Sequence, residues 1–197
     1  MRPNLSGFVS YVSAPAARRR DQAQRTRLQS ESEYSPATDF WKGMRTAIQW
    51  ERKTTRDGSA LREAALRAVA KKQPSYQLIA DVWPAIAQRW AHSSHAKPTV
   101  RELRIGGLDI AVRPLFSELM PDGSDEHVMV WMNKARPSDT AVQGALRLLT
   151  LLDEESSVRA VFVDTRRRQI FTATAEDLRD IDETLSRTCA SFLRDAA

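Results

Sequence analysis

One cysteine, Cys189, stands in a chain of 197 residues. No intrachain disulfide can form, which favours a reducing compartment. A chain of this length buries a core without covalent or metal cross-links. Histidine is nearly as scarce, at His92, His95 and His127. Structural zinc takes four ligands in recognisable spacing. The His92-Ser-Ser-His95 loop has no cysteine nearby, and the next carboxylate is Glu102, so no metal site is expected. No segment approaches the roughly 18–20 continuous apolar residues of a membrane span. Leu5, Phe8, Val9 and Val12 are too interrupted to form a signal-peptide core. A cytoplasmic protein with no membrane partner is expected. The Gly-x-Ser-x-Gly elbow, the Walker loop and the dinucleotide fingerprint are all missing. Hydrolase, kinase and dehydrogenase readings therefore have no positive support, and no cofactor is expected.

Basic charge is present, and it is unevenly placed. The net charge is +5. Residues 1–100 carry 17 Lys and Arg against 8 Asp and Glu, a net of +9, whereas residues 101–197 carry 13 against 17, a net of −4. Such asymmetry points to a polyanionic partner for the first half, or to attraction between the halves. Arg18, Arg19, Arg20, Arg25 and Arg27 are opposed only by Asp21. The acid-free first stretch has the composition of a transit peptide, but a basic arm over residues 1–33 is the reading adopted. A second cluster, Arg166-Arg167-Arg168, falls in a turn. Guanidinium groups there can grip phosphates, the plain alternative being a solvated turn beside Asp164.

Periodicity divides the rest. Leu5, Phe8, Val9 and Val12 share one side of a short helix that Pro15 weakens. Ser35 can cap a helix with Pro36 at its first position, and Phe40, Met44 and Ile48 on one face. Ser59 can cap a second helix. Pro74 opens a third, in which Tyr76, Ile79, Trp83, Ile86 and Trp90 form a buried stripe and Pro84 introduces a kink. Trp83 and Trp90 are thus core residues, and Trp41 and Trp50 stay open as stacking surfaces for nucleic acid. His92 to Pro98 reads as loop. From Val100 the period becomes two: Leu103, Ile105, Leu108, Ile110 and Val112 flank Gly106-Gly107 as a hairpin or one bulged strand. His127 to Met132 reads as an interior strand. Ser138 caps a helix to Leu152, and Val158 to Val163 is a further strand with a hairpin arm at Gln169 to Thr172. Thr174 and Asp177 form a capping box for a closing helix that buries Cys189 and Phe192.

The expected fold is α/β of the α+β kind. A helical half, residues 34–97, packs on a small mixed sheet in a β-β-α-β-α unit, residues 98–197, with a crossover helix and a C-terminal helix. Residues 34–197 are expected as one compact domain behind the 1–33 arm.

Two resemblances bear on this reading. Asp109 on one strand, Lys134 ending the next, then a helix and a strand resemble the element order of the restriction-endonuclease-like, or PD-(D/E)XK, fold. That family holds Mg²⁺ with two acids and stabilises charge with the lysine. Met132 stands where the second acid belongs, and a thioether does not bind hard Mg²⁺. The resemblance therefore implies a lost nuclease centre, with Lys134 left as a phosphate contact. Tyr34-Ser-Pro-Ala-Thr-Asp-Phe-Trp, Gly107-Leu-Asp-Ile-Ala-Val-Arg-Pro, His127-Val-Met-Val-Trp-Met-Asn-Lys and Val161-Phe-Val-Asp-Thr-Arg-Arg resemble an uncharacterised family of bacterial proteins. That resemblance implies one compact domain and no particular activity.

The function expected first is non-catalytic nucleic-acid binding through Arg18, Arg19, Arg20, Arg25, Arg27, Lys134, Arg166, Arg167 and Arg168. The second reading is an adaptor or complex subunit whose basic arm docks on an acidic protein partner. The third is a metal-dependent nuclease that pairs Asp109 with Asp122, Asp125 or Glu126.

Overall fold

The computed structural model of the chain describes residues 2–31, 39–153 and 158–197. Helix α1 (Leu5–Val12) is capped by Asn4, whose side chain accepts a hydrogen bond from the Gly7 amide at 2.8 Å. Such a cap satisfies an amide that has no partner inside the first turn. An elbow at Ser13 to Pro15 leads into α2 (Ala16–Glu31). Then come α3 (Lys42–Lys53), α4 (Ser59–Leu66) and α5 (Gln73–Ala87). The helix start expected at Ser35 and Pro36 lies outside the described residues. The expected α5 stripe is buried throughout, and the helix runs on through Pro84, which lies on its exposed side.

The strands are β1 (Ser94–Ala96), β2 (Arg101–Ile105), β3 (Leu108–Val112), β4 (Phe116–Leu119), β5 (Asp125–Trp131), β6 (Arg159–Asp164) and β7 (Gln169–Ala173). Helix α6 (Asp139–Thr150) crosses from β5 to β6, capped by Ser138, and these two strands are parallel. After β7 the expected box is present: Asp177 accepts from the Thr174 amide and hydroxyl, each at 2.8 Å. It opens a 3₁₀ segment that leads into α7 (Asp182–Ala196).

Among the described residues, five strands form a mixed sheet in the order β1-β4-β5-β6-β7, with β2 and β3 as a separate pair. Side chains alternate between the faces of a strand, so β5 and β6 serve two cores. Met129, Trp131, Ala160 and Phe162 pack against α1, α6, α7 and the β2–β3 hairpin. Val128, Val130, Val161 and Val163 pack with Phe116 against α3, α4 and α5. The fold is α+β, in three layers.

Three expectations change. The described part of the expected 1–33 arm, residues 2–31, does not stand apart from the domain, because α1 buries Leu5, Phe8, Val9, Tyr11 and Val12 in the core. Only α2 keeps the expected solvent-facing character, burying Ala23 and Thr26 where it lies along α7. The His92–Pro98 stretch contains the edge strand β1. The hairpin turns at Gly106 and Gly107, both at positive φ (54° and 85°), as a two-residue hairpin requires, but it stands outside the main sheet. A side chain at Gly106 would also meet the Ser186 carbonyl oxygen at 2.3 Å, so the turn presses directly on α7.

Candidate nucleic-acid interface

β5 and β6 end together, Trp131 beside Asp164. The space outside the carboxyl ends of parallel strands is where open α/β sheets take ligands. Two connections meet there. The chain after β5 carries Lys134 and Arg136 into Ser138, and the chain after β6 carries Arg166, Arg167 and Arg168. They are tied to each other. The Thr165 hydroxyl donates to the Trp131 carbonyl at 2.9 Å. Arg166 donates from Nε to the Met132 carbonyl at 2.9 Å and from Nη2 to Ser75 Oγ at 3.1 Å. Arg167 pairs with the buried Asp164 at 2.9 Å and reaches the Lys134 carbonyl at 3.1 Å.

These bonds sort the expected contacts. Arg166 and Arg167 are half-buried and hold the two connections together. Lys134, Arg136 and Arg168 are exposed, with no side-chain partner among the described residues. Arg168 stands in the left-handed region at φ 54°, a conformation that costs a non-glycine residue about 1–2 kcal/mol.

The other expected cluster arrives at the same end. The Ser138 amide donates to Ser13 Oγ at 3.0 Å, which pins the start of α6 to the α1–α2 elbow. Arg18, Arg19 and Arg20 follow that elbow in the first turns of α2, all exposed and with no acid beside them in the first turn. Cations at a helix N-terminus oppose the macrodipole, so the dipole of α2 does not favour them. Three residues lie between Lys134 and Ser138, which are at most about 14 Å apart along the chain. The Ser13–Ser138 bond sets the first turns of α2 near the start of α6, a few residues along the chain from Lys134 and Arg136. Arg25 lies further down α2, exposed. Arg27 is turned aside: it pairs with Glu31 at 3.1 Å and donates to the Ala196 carbonyl at 3.0 Å.

The largest polar constellation went unread in the sequence. Glu118 on β4 and Glu126 on β5 face each other across the ladder, both fully buried on the α3–α5 side. Glu118 receives Arg52 Nε at 2.8 Å, Arg56 Nη2 at 3.0 Å and Ser93 Oγ at 2.6 Å. Glu126 receives Arg89 at 2.6 and 3.1 Å, Trp90 Nε1 at 2.7 Å and Arg159 at 3.3 Å. All four carboxylate oxygens are engaged. The network ties α3 and the end of α5 to the sheet. Parity was the missed signal: Glu118 lies two residues from Phe116 and Glu126 two from Val128, so each shares its neighbour's inward face.

The remaining candidates disperse. Asp109 lies on the separate hairpin, opposite Arg104 at 3.7 Å, and the strands bonded to β5 are β4 and β6, neither of which carries it. Asp122 accepts from the Ser124 amide and hydroxyl in its own turn. No cluster of three metal-binding side chains forms among the described residues. Burial lowers the pKa of His127, whose Nδ1 bonds Ser117 Oγ at 2.9 Å, and burial likewise lowers that of His95. Burial pushes the Cys189 thiol up to about 12, which leaves it protonated and inert. Trp41 stacks on Tyr76 at 5.7 Å between centroids, lies under Arg166 at 5.8 Å and donates to Asn133 at 2.8 Å, so its ring is engaged inside the fold. Trp50 is 49% exposed.

No protein-family model matches the chain. No curated protein sequence matches it either. A solved structure described as the crystal structure of SSO0001 is similar at a TM-score of 0.37 and 12% identity, covering 89% of this chain and 83% of that one. A likeness this distant carries no functional argument.

Proposed function

We propose that this is a non-catalytic nucleic-acid-binding protein whose contact surface is the basic rim of Arg18, Arg19, Arg20, Lys134, Arg136 and Arg168. The observation that carries the reading is the convergence of two clusters more than a hundred residues apart in sequence. The Ser138–Ser13 bond supports it by pinning the chain beyond β5 to the elbow that precedes α2. The rim's cations are exposed, and the acids next to them along the chain are Asp21 after Arg20 and Asp139 after Ser138. Phosphates are gripped by such groups without reference to sequence. The two buried glutamates already hold arginines, so the reading assigns them no reaction.

Titration of labelled single- and double-stranded DNA and RNA at two salt concentrations tests the reading. Binding should weaken with salt, with a log–log slope of about −0.9 per phosphate neutralised on duplex DNA and about −0.7 on single strands. Absence of binding at low salt sinks the proposal. Binding of an acidic protein, with none of nucleic acid, would move the function to an adaptor.

A further inference from the structure

A groove of about 460 Å³ opens beside the rim, between the α1–α2 elbow, the start of α6 and the outer side of α7. That volume lies within the roughly 300–1,000 Å³ of small-ligand sites. Arg19 comes to it from α2 and Arg187 from α7, and no acid is among its lining residues. Between them stand hydroxyls from three parts of the chain, Ser13, Ser138 and Ser191.

The bonding state of those hydroxyls indicates what the groove accepts. A serine hydroxyl has one proton to donate and two lone pairs. Ser13 Oγ already accepts from the Ser138 amide at 3.0 Å, Ser138 Oγ from the Ala141 amide at 3.2 Å, and Ser191 Oγ from Arg194 at 2.8 Å. Among the described residues none of the three donates, so each has its proton left to give. Among the described residues Arg19 bonds through Nε alone, to the Ala14 carbonyl at 3.3 Å, and neither terminal nitrogen has a partner there. Arg187 pairs with Glu183 at 2.8 Å, but both side chains are more than 70% exposed, so the guanidinium exchanges partners readily. The groove offers donors and positive charge to an acceptor-rich dianion. Val12 and Pro15 supply an apolar wall beside them.

We infer that this groove binds the phosphate of a nucleoside monophosphate unit, with Arg19 and Arg187 gripping the phosphate and the three serines donating to its oxygens. The ligand class rests on the nucleic-acid reading of the adjoining rim. The unit can be a free nucleotide or the 5′-phosphorylated end of a strand, since both present the same dianion.

Four probes decide the matter in the intact protein: a 5′-phosphorylated oligonucleotide, the same oligonucleotide with a 5′-hydroxyl, AMP and adenosine. The proposal expects a phosphate preference of at least tenfold within one of the two pairs. Arg187→Ala should abolish that preference, and Ser191→Ala should reduce it, with the melting temperature unchanged. The affinity for the 5′-hydroxyl strand should also stay the same, because Arg187 is not part of the rim. Preference within the oligonucleotide pair assigns the site to strand ends, and preference for AMP alone assigns it to free nucleotides. Equal, salt-sensitive binding of both oligonucleotides without an AMP preference overturns the groove and leaves the rim standing. AMP preference without any oligonucleotide binding overturns the rim and leaves the groove. A phosphate preference that survives Arg187→Ala overturns the assignment to this groove.

Discussion

Arginines on the α3–α5 side of the sheet and those at the carboxyl end of β5 and β6 meet opposite environments. Arg52, Arg56, Arg89 and Arg159 all end on Glu118 or Glu126, inside the fold. Arg18, Arg20 and Arg168 end in water, as does Lys134, with no side-chain partner among the described residues. Each arginine of the first group ends on a buried carboxylate, four cations on two glutamates, and the group fastens helices to the sheet. The second is unmatched and gathered on one rim. Net charge alone does not separate them, because the +9 of the first hundred residues counts both. What separates them is whether a carboxylate stands on the facing strand.

The sharpest way to break that contrast is to remove an acid from the paired side. Glu118→Gln leaves Arg52, itself 1% exposed, buried with its charge uncompensated. Losing one partner of a buried pair costs about 3–5 kcal/mol. Urea unfolding should show that loss in the midpoint. Loss of less than about 1 kcal/mol would mean that the network does not fasten the helices, since even an ordinary hydrogen bond is worth that much.

On the rim, the joint change of Arg18, Arg19 and Arg20 to alanine should do the reverse. Affinity for DNA should fall by roughly ten- to hundredfold, a change of about 1.4–2.8 kcal/mol. Thermal stability should hold or rise slightly, because α2 loses cations from its positive end. A large drop in melting temperature would place these residues with the structural group.

Two further changes probe buried titratable groups, Glu51 on the paired side and His127 on the opposite face of the sheet. Burial raises the pKa of Glu51, whose Oε1 accepts from Trp83 Nε1 at 3.2 Å while Oε2 has no partner among the described residues. The folded chain thus holds the Glu51 proton more tightly than the unfolded chain does. Above the folded pKa the ionised carboxylate weakens the fold, and stability recovers as pH falls through it. Glu51→Gln keeps an acceptor for Trp83 and removes the charge. It should therefore raise the melting temperature at neutral pH and remove that part of the pH dependence.

His127 works in the opposite sense. Its folded pKa is lowered by burial, so below the ordinary value of about 6.5 the unfolded chain binds the extra proton. Stability contributed by the neutral ring is present above that pH and is lost as pH falls toward the lower folded value. Replacing His127 with Gln should flatten the stability profile between neutral and mildly acidic pH. An unchanged slope would assign the acid sensitivity to His95 instead.

Much of this architecture was legible in the sequence where one rule governed each segment. The α5 stripe, the Gly106-Gly107 hairpin, the Ser138 cap, the β5–α6–β6 crossover and the Thr174–Asp177 box follow from periodicity and capping chemistry. The α1 segment reads as part of an arm because five buried residues are too short a signal beside a run of arginines. Its stability comes from packing on α6 and the hairpin, which no local pattern reports. β1 and β4 escape a sequence reading because a short edge strand and a strand containing a buried glutamate both read as polar loop. The acid–arginine network escapes for the same reason: a buried carboxylate is stable only with its partners, and those lie 33 to 66 residues away. Arg18 to Arg20 and Arg168 are legible as members of basic clusters, Lys134 through the nuclease-like resemblance, and Arg136 by neither route. That the clusters share one end is not legible, since a single bond between Ser13 and Ser138 brings them together.

The central claim is that the unmatched cations at the carboxyl end take phosphates. The most direct measurement is the salt dependence of DNA binding for the wild type beside Lys134→Ala with Arg168→Ala. The account predicts a lower affinity and a slope on duplex DNA reduced by about 0.9 for each phosphate that the variant no longer neutralises. An unchanged slope and affinity would contradict it.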